Sequence, residues 1–419
     1  GTGGDTLGTL HHHHWPTGLR TLRRKDELPS GNAVDSLDYD SPGAEELLPD
    51  IAASADQLLD ALDRAVRRRV EIAPAPTPPS DRAGVLSGAR VAVLFSGGVD
   101  CMVVAALAHR HRPPDEPIDL LNVAFGSPTQ SDSLVGNKGA ADNVGTDTVD
   151  RYNTPDRRSA VAGLAELRKI APTRRWQLIC VNRNLDISSL GAGKAEALPL
   201  MFPAATVMDF TIAYALRSAA QGVGLCWTSG DSAGGAESST AAQQEPAPEP
   251  EPARRPLVSG ARILLSGLGA DEQCVGYKGR HRTRFAKGGW DALELEIERD
   301  IGRLWLRNLG RDDRMIADHG KEVRYPYLDE DVMALLSSLP LWHLADLRLP
   351  DGVGDKRIIR EVSRRIGLSG AAGLPKRAIQ FGSRSSKCFK CNSDGNAHVD
   401  SATLSDQTAG RIPKKQRPS

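Results

Sequence analysis

Residues 90–108 read RVAVLFSGGVDCMVVAALA, and this stretch organises the chain around it. Val91, Ala92, Val93, Leu94 and Phe95 form a short unbroken apolar run, as expected of a strand buried on both faces. The run stops at Ser96-Gly97-Gly98-Val99-Asp100, and apolar residues at helical spacing follow from Met102 to Leu107. A strand, a glycine turn and a helix gather backbone N–H groups and a positive helix end at one point, which suits a phosphate. Gly97 and Gly98 let a ligand approach the backbone, Ser96 adds a hydroxyl, and Asp100 is placed to hold a divalent cation against the phosphates.

The lysine of a P-loop, G-x-x-x-x-G-K-[ST], is missing here and elsewhere in the chain. The string instead resembles the SGGxDS pyrophosphate loop of ATP pyrophosphatases, which split ATP between its α- and β-phosphates. Cys101 stands where that pattern has a second Ser, so one hydroxyl contact is weakened while the loop stays intact.

A second element of the same kind lies far downstream. Residues 261–265 read as a strand that ends in Ser266-Gly267-Leu268-Gly269-Ala270-Asp271-Glu272. Parallel strands ending side by side would present Asp100 and Asp271 to one shared Mg²⁺, and both Ser-Gly turns to one nucleotide. Two further buried strands are expected over 117–125 and 176–181. Helices are expected over 51–70, 159–170 and 205–220, and the chain turns mostly helical from Trp290 onward. The reading is an α/β fold with a parallel sheet, a nucleotide at its carboxyl edge and a helical C-terminal layer.

Composition bounds the partners. The 419 residues carry 53 basic and 53 acidic side chains, so no nucleic-acid or membrane surface is indicated. No apolar run approaches the roughly 20 residues of a membrane span, and no secretory signal is visible. The six cysteines show no disulfide framework, which fits a reducing, cytoplasmic setting. Cys388 and Cys391 form a lone CxxC, and His11–His14 lack partner carboxylates, so neither is read as a metal site. Residues 229–256, rich in Glu and Pro, read as a disordered insert, and 387–419 as a disordered tail. Residues 1–85 are read as a partial N-terminal region and linker, and 86–386 as the main domain. The start at Gly1 suggests a fragment.

Four strings in order, over about 290 residues, carry a closer resemblance: the first loop, Leu265–Glu272, Glu322–Asp329 (EVRYPYLD), and Pro375-Lys376 with Phe381-Gly382-Ser383. Together they resemble the synthetase domain of glutamine-dependent asparagine synthetases. That resemblance implies an adenine-nucleotide α-hydrolase-like domain using ATP and Mg²⁺. A carboxylate, in that family aspartate, attacks the α-phosphate of ATP, and ammonia then displaces AMP from the acyl-adenylate. It further implies that Ser96, Gly97, Gly98 and Asp100 hold pyrophosphate with Cys101 beside them. Leu94 and Phe125 would line the adenine site, and Ser266 and Gly267 the nucleotide's other side. Lys376 would stabilise the departing phosphates. Glu322 is either catalytic or ion-paired with Arg324 in the helical layer, and Asp329 caps or braces that turn.

The chain departs from the family pattern in three places. Leu268 replaces an acid, Met208 falls near an expected arginine, and the first 85 residues lack the cysteine of a glutaminase domain. Ammonia is therefore the expected nitrogen donor for the chain as given. The alternative reading is a nucleotide-binding scaffold, or a degenerate ligase, acting through protein partners.

Overall fold

Strand β2 (Val91–Leu94) lies inside an eight-stranded sheet of order β1-β6-β5-β4-β3-β2-β7-β8. The computed structural model describes residues 51–76, 85–126, 151–227, 254–389 and 395–399. All nine residues of β3 (Ile118–Gly126) are buried, and β3 pairs in parallel with both β2 and β4 (Trp176–Asn184). On its other side β2 pairs in parallel with β7 (Ile263–Leu265), which pairs in parallel with β8 (Glu322–Arg324). The four strands expected from sequence are thus contiguous and parallel, and the α/β reading holds. Continuous apolar runs suit this position because helices cover both faces.

The far side of the sheet departs from that reading. β5 (Val223–Trp227) runs antiparallel to β4, and β6 (Arg254–Val258) antiparallel to β5. The two-residue β1 (Val85–Leu86) then pairs in parallel with β6. Arg254, Arg255 and Pro256 were expected to lie in the disordered insert, but they are strand residues, and Trp227 is in register with Arg254. Excursion and return therefore meet on adjacent strands. Residues 229–253 of the insert lie outside the described residues.

Two apolar cores sandwich the sheet. One is built on Val91, Val93 and Leu120 with the helices Ala52–Val70, Val99–Arg110 and Pro155–Ile170. The other is built on Ala92, Leu121 and Val123 with Val207–Ala220 and Gly310–Ala317. The Ala52–Val70 helix was expected to belong to a separate N-terminal region, yet its Leu58, Leu62 and Val66 lie in the first core. The basic end of this helix is docked as well: Arg68 and Arg69 both reach Asp329, at 2.5 and 2.6 Å. Asp329 also caps the Glu330–Ser338 helix, accepting from Asp331 N–H at 3.2 Å, so it braces the turn as expected. Phe389 and Val399 are buried in the second core, so parts of the expected tail pack against the domain.

Candidate active site

The carboxyl ends of β2 and β7 bring the two Ser-Gly turns into contact. Each turn is folded by its own serine: Ser96 Oγ accepts from Gly98 N–H and Ser266 Oγ from Leu268 N–H, both at 3.3 Å. Gly97 has φ +78°, and a Cβ there would lie 2.2 Å from the Ser159 backbone, so only glycine fits. Across the seam, a Cβ on Gly267 would lie 2.9 Å from Asp100 Cβ. The Val99–Arg110 helix starts directly behind the first loop, with Asp100 in its first turn.

Asp100 and Asp271 converge on one side chain that sequence reasoning passed over. Lys356 is 1% exposed, and its Nζ lies 2.5 Å from Asp100 Oδ2 and 2.5 Å from Asp271 Oδ1. The two carboxylate oxygens are therefore no more than about 5 Å apart, with the Lys356 ammonium between them. Lys356 sits at φ +53°, its N–H donating to Cys274 O at 3.0 Å, immediately before the Arg357–Arg365 helix. A non-glycine residue in the left-handed region was the available clue, but conformation is not written in residue type. Lys376 arrives from the other side, with Nζ 3.1 Å from Asp271 Oδ2 and 4.7 Å from the Tyr277 ring centroid. The segment leading to Lys376 is held by buried Arg360, which donates to Ala372 O and Leu374 O at 2.8 Å each and is paired with Asp355.

The two carboxylates differ electrostatically. Burial pushes Asp100 above its ordinary range, with Lys356 only partly offsetting it. Burial also acts on Asp271, but Lys356 and Lys376 together outweigh it and hold this carboxyl well below its ordinary range. Burial would lower Lys356, yet Asp100 and Asp271 raise it, so it stays charged. Glu272 completes the second turn, accepting from Gly269 N–H (3.2 Å), Tyr277 O–H (2.5 Å) and Asn308 Nδ2 (2.9 Å).

Buried Asp100 Oδ1 has no hydrogen-bond partner, and no group of three or more His, Cys, Asp or Glu gathers among the described residues. Two carboxylates fit Mg²⁺, which takes one or two from protein and completes its shell with phosphates and water.

These groups line one cavity of about 890 Å³ with Leu94, Ser96, Gly98, Val123 and Leu268. Several expected site residues stand elsewhere. Phe125 is fully buried, its ring tilted against that of Tyr214 with centroids 5.5 Å apart, and its N–H donates to Ser383 O; Val123 and Leu121 reach the cavity instead. Val123 and Phe125 share one face of β3, so the difference comes from Ser383 covering the strand end. Cys101 turns inward, donating to Gly98 O at 3.1 Å, and burial pushes its thiol up to about 11. Glu322 does not reach the cavity. Its side chain is 62% exposed and paired with Arg324 on the edge strand, so neither a catalytic role nor a buried pair describes it. Met208 and Leu268, two of the three departures from the pattern, both line the cavity.

A parallel sheet with a glycine loop, two converging aspartates and two lysines at its carboxyl edge defines a nucleotide-binding domain of the ATP pyrophosphatase type. The asparagine synthase family model matches residues 82–168 and 283–379. These residues thus carry an asparagine synthase domain. It is 42% identical over 321 residues to the mouse (Mus musculus) asparagine synthetase domain-containing protein 1, covering 73% of this chain and 47% of that protein. The chicken (Gallus gallus) protein of the same name is 40% identical over 355 residues, covering 79% and 52%. The rat (Rattus norvegicus) glutamine-hydrolysing asparagine synthetase is 34% identical over 150 residues, covering 34% and 25%. The chain thus spans about half the length of the first two relatives. Among the described residues no helix is long and apolar enough to cross a membrane.

Proposed function

We propose that this domain is an ATP-dependent, amide-forming ligase that activates a carboxylate as an acyl-adenylate and passes it to ammonia. The observation that carries the reading is the convergence of Asp100, Asp271, Lys356 and Lys376 at the phosphate loop. An acceptor carboxylate attacks the α-phosphorus, the bond to the bridging oxygen breaks, and pyrophosphate leaves with that electron pair. Negative charge accumulates on the departing oxygens, where loop N–H groups and the two ammonium groups are fixed before reaction starts. Mg²⁺, held by Asp100 and Asp271, would add charge neutralisation on the phosphates. Ammonia then attacks the acyl carbon, expels AMP and loses a proton to solvent. Asp271, kept ionised by two lysines, holds Lys376 at the point where it meets the phosphates. Aspartate, the acceptor of the family this domain resembles, is the first acceptor to try.

The test is acceptor-dependent release of pyrophosphate from Mg²⁺-ATP with ammonium chloride present. AMP and pyrophosphate in equal amounts, dependent on a carboxylic acid, are expected. Tight ATP binding with no pyrophosphate across a broad panel of acids would favour the scaffold reading instead.

A further inference from the structure

The Pro326–Leu328 turn does not line the cavity, yet it is in contact with both Ser-Gly turns. Tyr327 is fully buried, and its O–H donates to Asp100 O at 3.3 Å, at the end of the first turn. Its carbonyl accepts from Gln273 Nε2 at 2.7 Å, and that nitrogen also donates to Gly269 O at 3.1 Å in the second turn. Leu328 packs on Gly269, where a Cβ would lie 2.5 Å from Leu328 Cδ2. β8, which leads into the segment, adds one more link: Arg324 O accepts from Ser266 N–H at 3.0 Å. A single short segment therefore fixes one Ser-Gly turn relative to the other.

Asp329 ends this segment and is itself held from the Ala52–Val70 helix. Arg69 Nη1 donates to Asp329 Oδ2 at 2.6 Å, and Arg68 reaches both carboxylate oxygens, at 2.5 and 3.3 Å. Burial alone would raise Asp329, but the two arginines hold its carboxyl below the ordinary range. Arg69 makes the less screened contact: its side chain is 21% exposed against 48% for Arg68, which is also shared with Asp331. Arg324 closes the circuit by donating to Arg69 O at 2.5 Å. The helix does not depend on these contacts to stay docked. Leu58, Leu62 and Val66 pack in the first core, Arg112 donates to Val70 O at 2.6 Å, and Asp56 pairs with Arg365 at 2.6 Å. What Arg69 adds is a directional, charged hold on the segment bonded to both turns.

Fixed N–H groups bind phosphate well only when they are placed to within about 0.5 Å. We infer that Arg69 is a positioning residue of the nucleotide site: acting through Asp329 and the Tyr327 turn, it sets the spacing of the two Ser-Gly turns. This role rests on the nucleotide-binding half of the proposed function and not on the chemistry that follows. Arg69, Asp329 and Tyr327 do not line the cavity, so any effect they have on nucleotide affinity passes through the turns.

The test is calorimetric binding of α,β-methylene-ATP with Mg²⁺, on variants first shown to be folded by thermal unfolding. Arg69→Met keeps an apolar stem and should weaken binding about tenfold, the scale of a small displacement at a binding site. Arg69→Lys should recover part of the loss. Asp329→Asn keeps a helix cap and should lose about as much as Arg69→Met, and it decides the matter should Arg69→Met not fold. Asp56→Asn breaks an ion pair nearer the start of the same helix and should leave affinity unmoved. Adding Tyr327→Phe, which removes the O–H bond to Asp100 O, to Arg69→Met should cost less than the two separate losses multiplied. Unchanged affinity in folded Arg69→Met, an equal loss in Asp56→Asn, or losses that simply multiply with Tyr327→Phe would overturn the inference, as would no nucleotide binding by the parent. Arg69-dependent binding without pyrophosphate release from ATP would uphold it and remove the ligase reading. Acceptor-dependent pyrophosphate release with an affinity indifferent to Arg69 would do the reverse.

Discussion

The two Ser-Gly turns at the centre of the cavity fold alike and are charged differently. Each ends a buried parallel strand, each is closed by its serine hydroxyl at 3.3 Å, and each supplies one aspartate to Lys356. Asp271 has a second ammonium group, Lys376, whose Nζ lies 3.1 Å away, while Asp100 has one bare oxygen. The same serine closure thus accompanies one carboxylate that is firmly ionised and one whose charge is only half compensated. Asp100 Oδ1 has neither a hydrogen bond nor an ion pair among the described residues, while Asp271 anchors Lys376.

Lys356 is common to both turns, so its removal should have the largest effect. Lys356→Met leaves two partly buried carboxylates facing each other and is expected to cost about 3 kcal/mol of folding stability at neutral pH, read by denaturant unfolding. Millimolar Mg²⁺ should restore part of that loss. A variant as stable as the parent would show that the two turns do not depend on the lysine.

Lys376 is what makes the turns unequal. Lys376→Ala should lower the pyrophosphate-releasing rate by roughly 10²–10³, the scale of one fixed electrostatic group in a transition state, with a much smaller change in ATP affinity. Equal losses in both would assign Lys376 to ground-state binding.

The acid limb of the stability curve separates the aspartates. The folded pKa of Asp271 is depressed, so its contribution is present above its unfolded value near 4 and is lost as pH falls towards the lower folded value. Asp271→Asn should flatten that limb. The folded pKa of Asp100 is raised, so ionisation is penalised in the fold, and stability declines as pH climbs from about 4 to the raised value. Asp100→Asn should remove that decline and be the milder substitution. Identical acid limbs for the two variants would erase the contrast.

The smallest effect is expected at Cys101. Cys101→Ser keeps a donor towards Gly98 O and should change stability by less than about 1 kcal/mol. In the native parent this thiol, pushed up to about 11, should resist alkylation at pH 8, as mass spectrometry can show.

What was legible in the sequence follows the same division. Strands buried on both faces declare themselves as apolar runs, so β2, β3, β4 and β7 and both turns could be read directly. Asp100 and Asp271 followed because each is fixed to its turn by a few residues of chain. Lys356 could not be read so, since its meaning depends on a contact spanning 256 residues to Asp100 and on a left-handed backbone. β5 and β6 were missed because β5 is short and only partly buried, and β6 opens with Arg-Arg-Pro, which looks like the insert beside it. Glu322 carried the right motif in the wrong place: strand alternation turns it outward to Arg324. Phe125 failed for a packing reason, since Ser383 and the Ser385–Cys388 turn cover the end of β3.

The central claim is that the two turns act on one Mg²⁺-nucleotide as a unit. A double-mutant cycle on Mg²⁺-dependent ATP affinity, with Asp100→Asn, Asp271→Asn and the pair, addresses it most directly. Coupling of at least about 1 kcal/mol is predicted, because either substitution alone already removes most of the shared ion's hold. Additive losses, with each variant keeping its own Mg²⁺ dependence, would contradict the account.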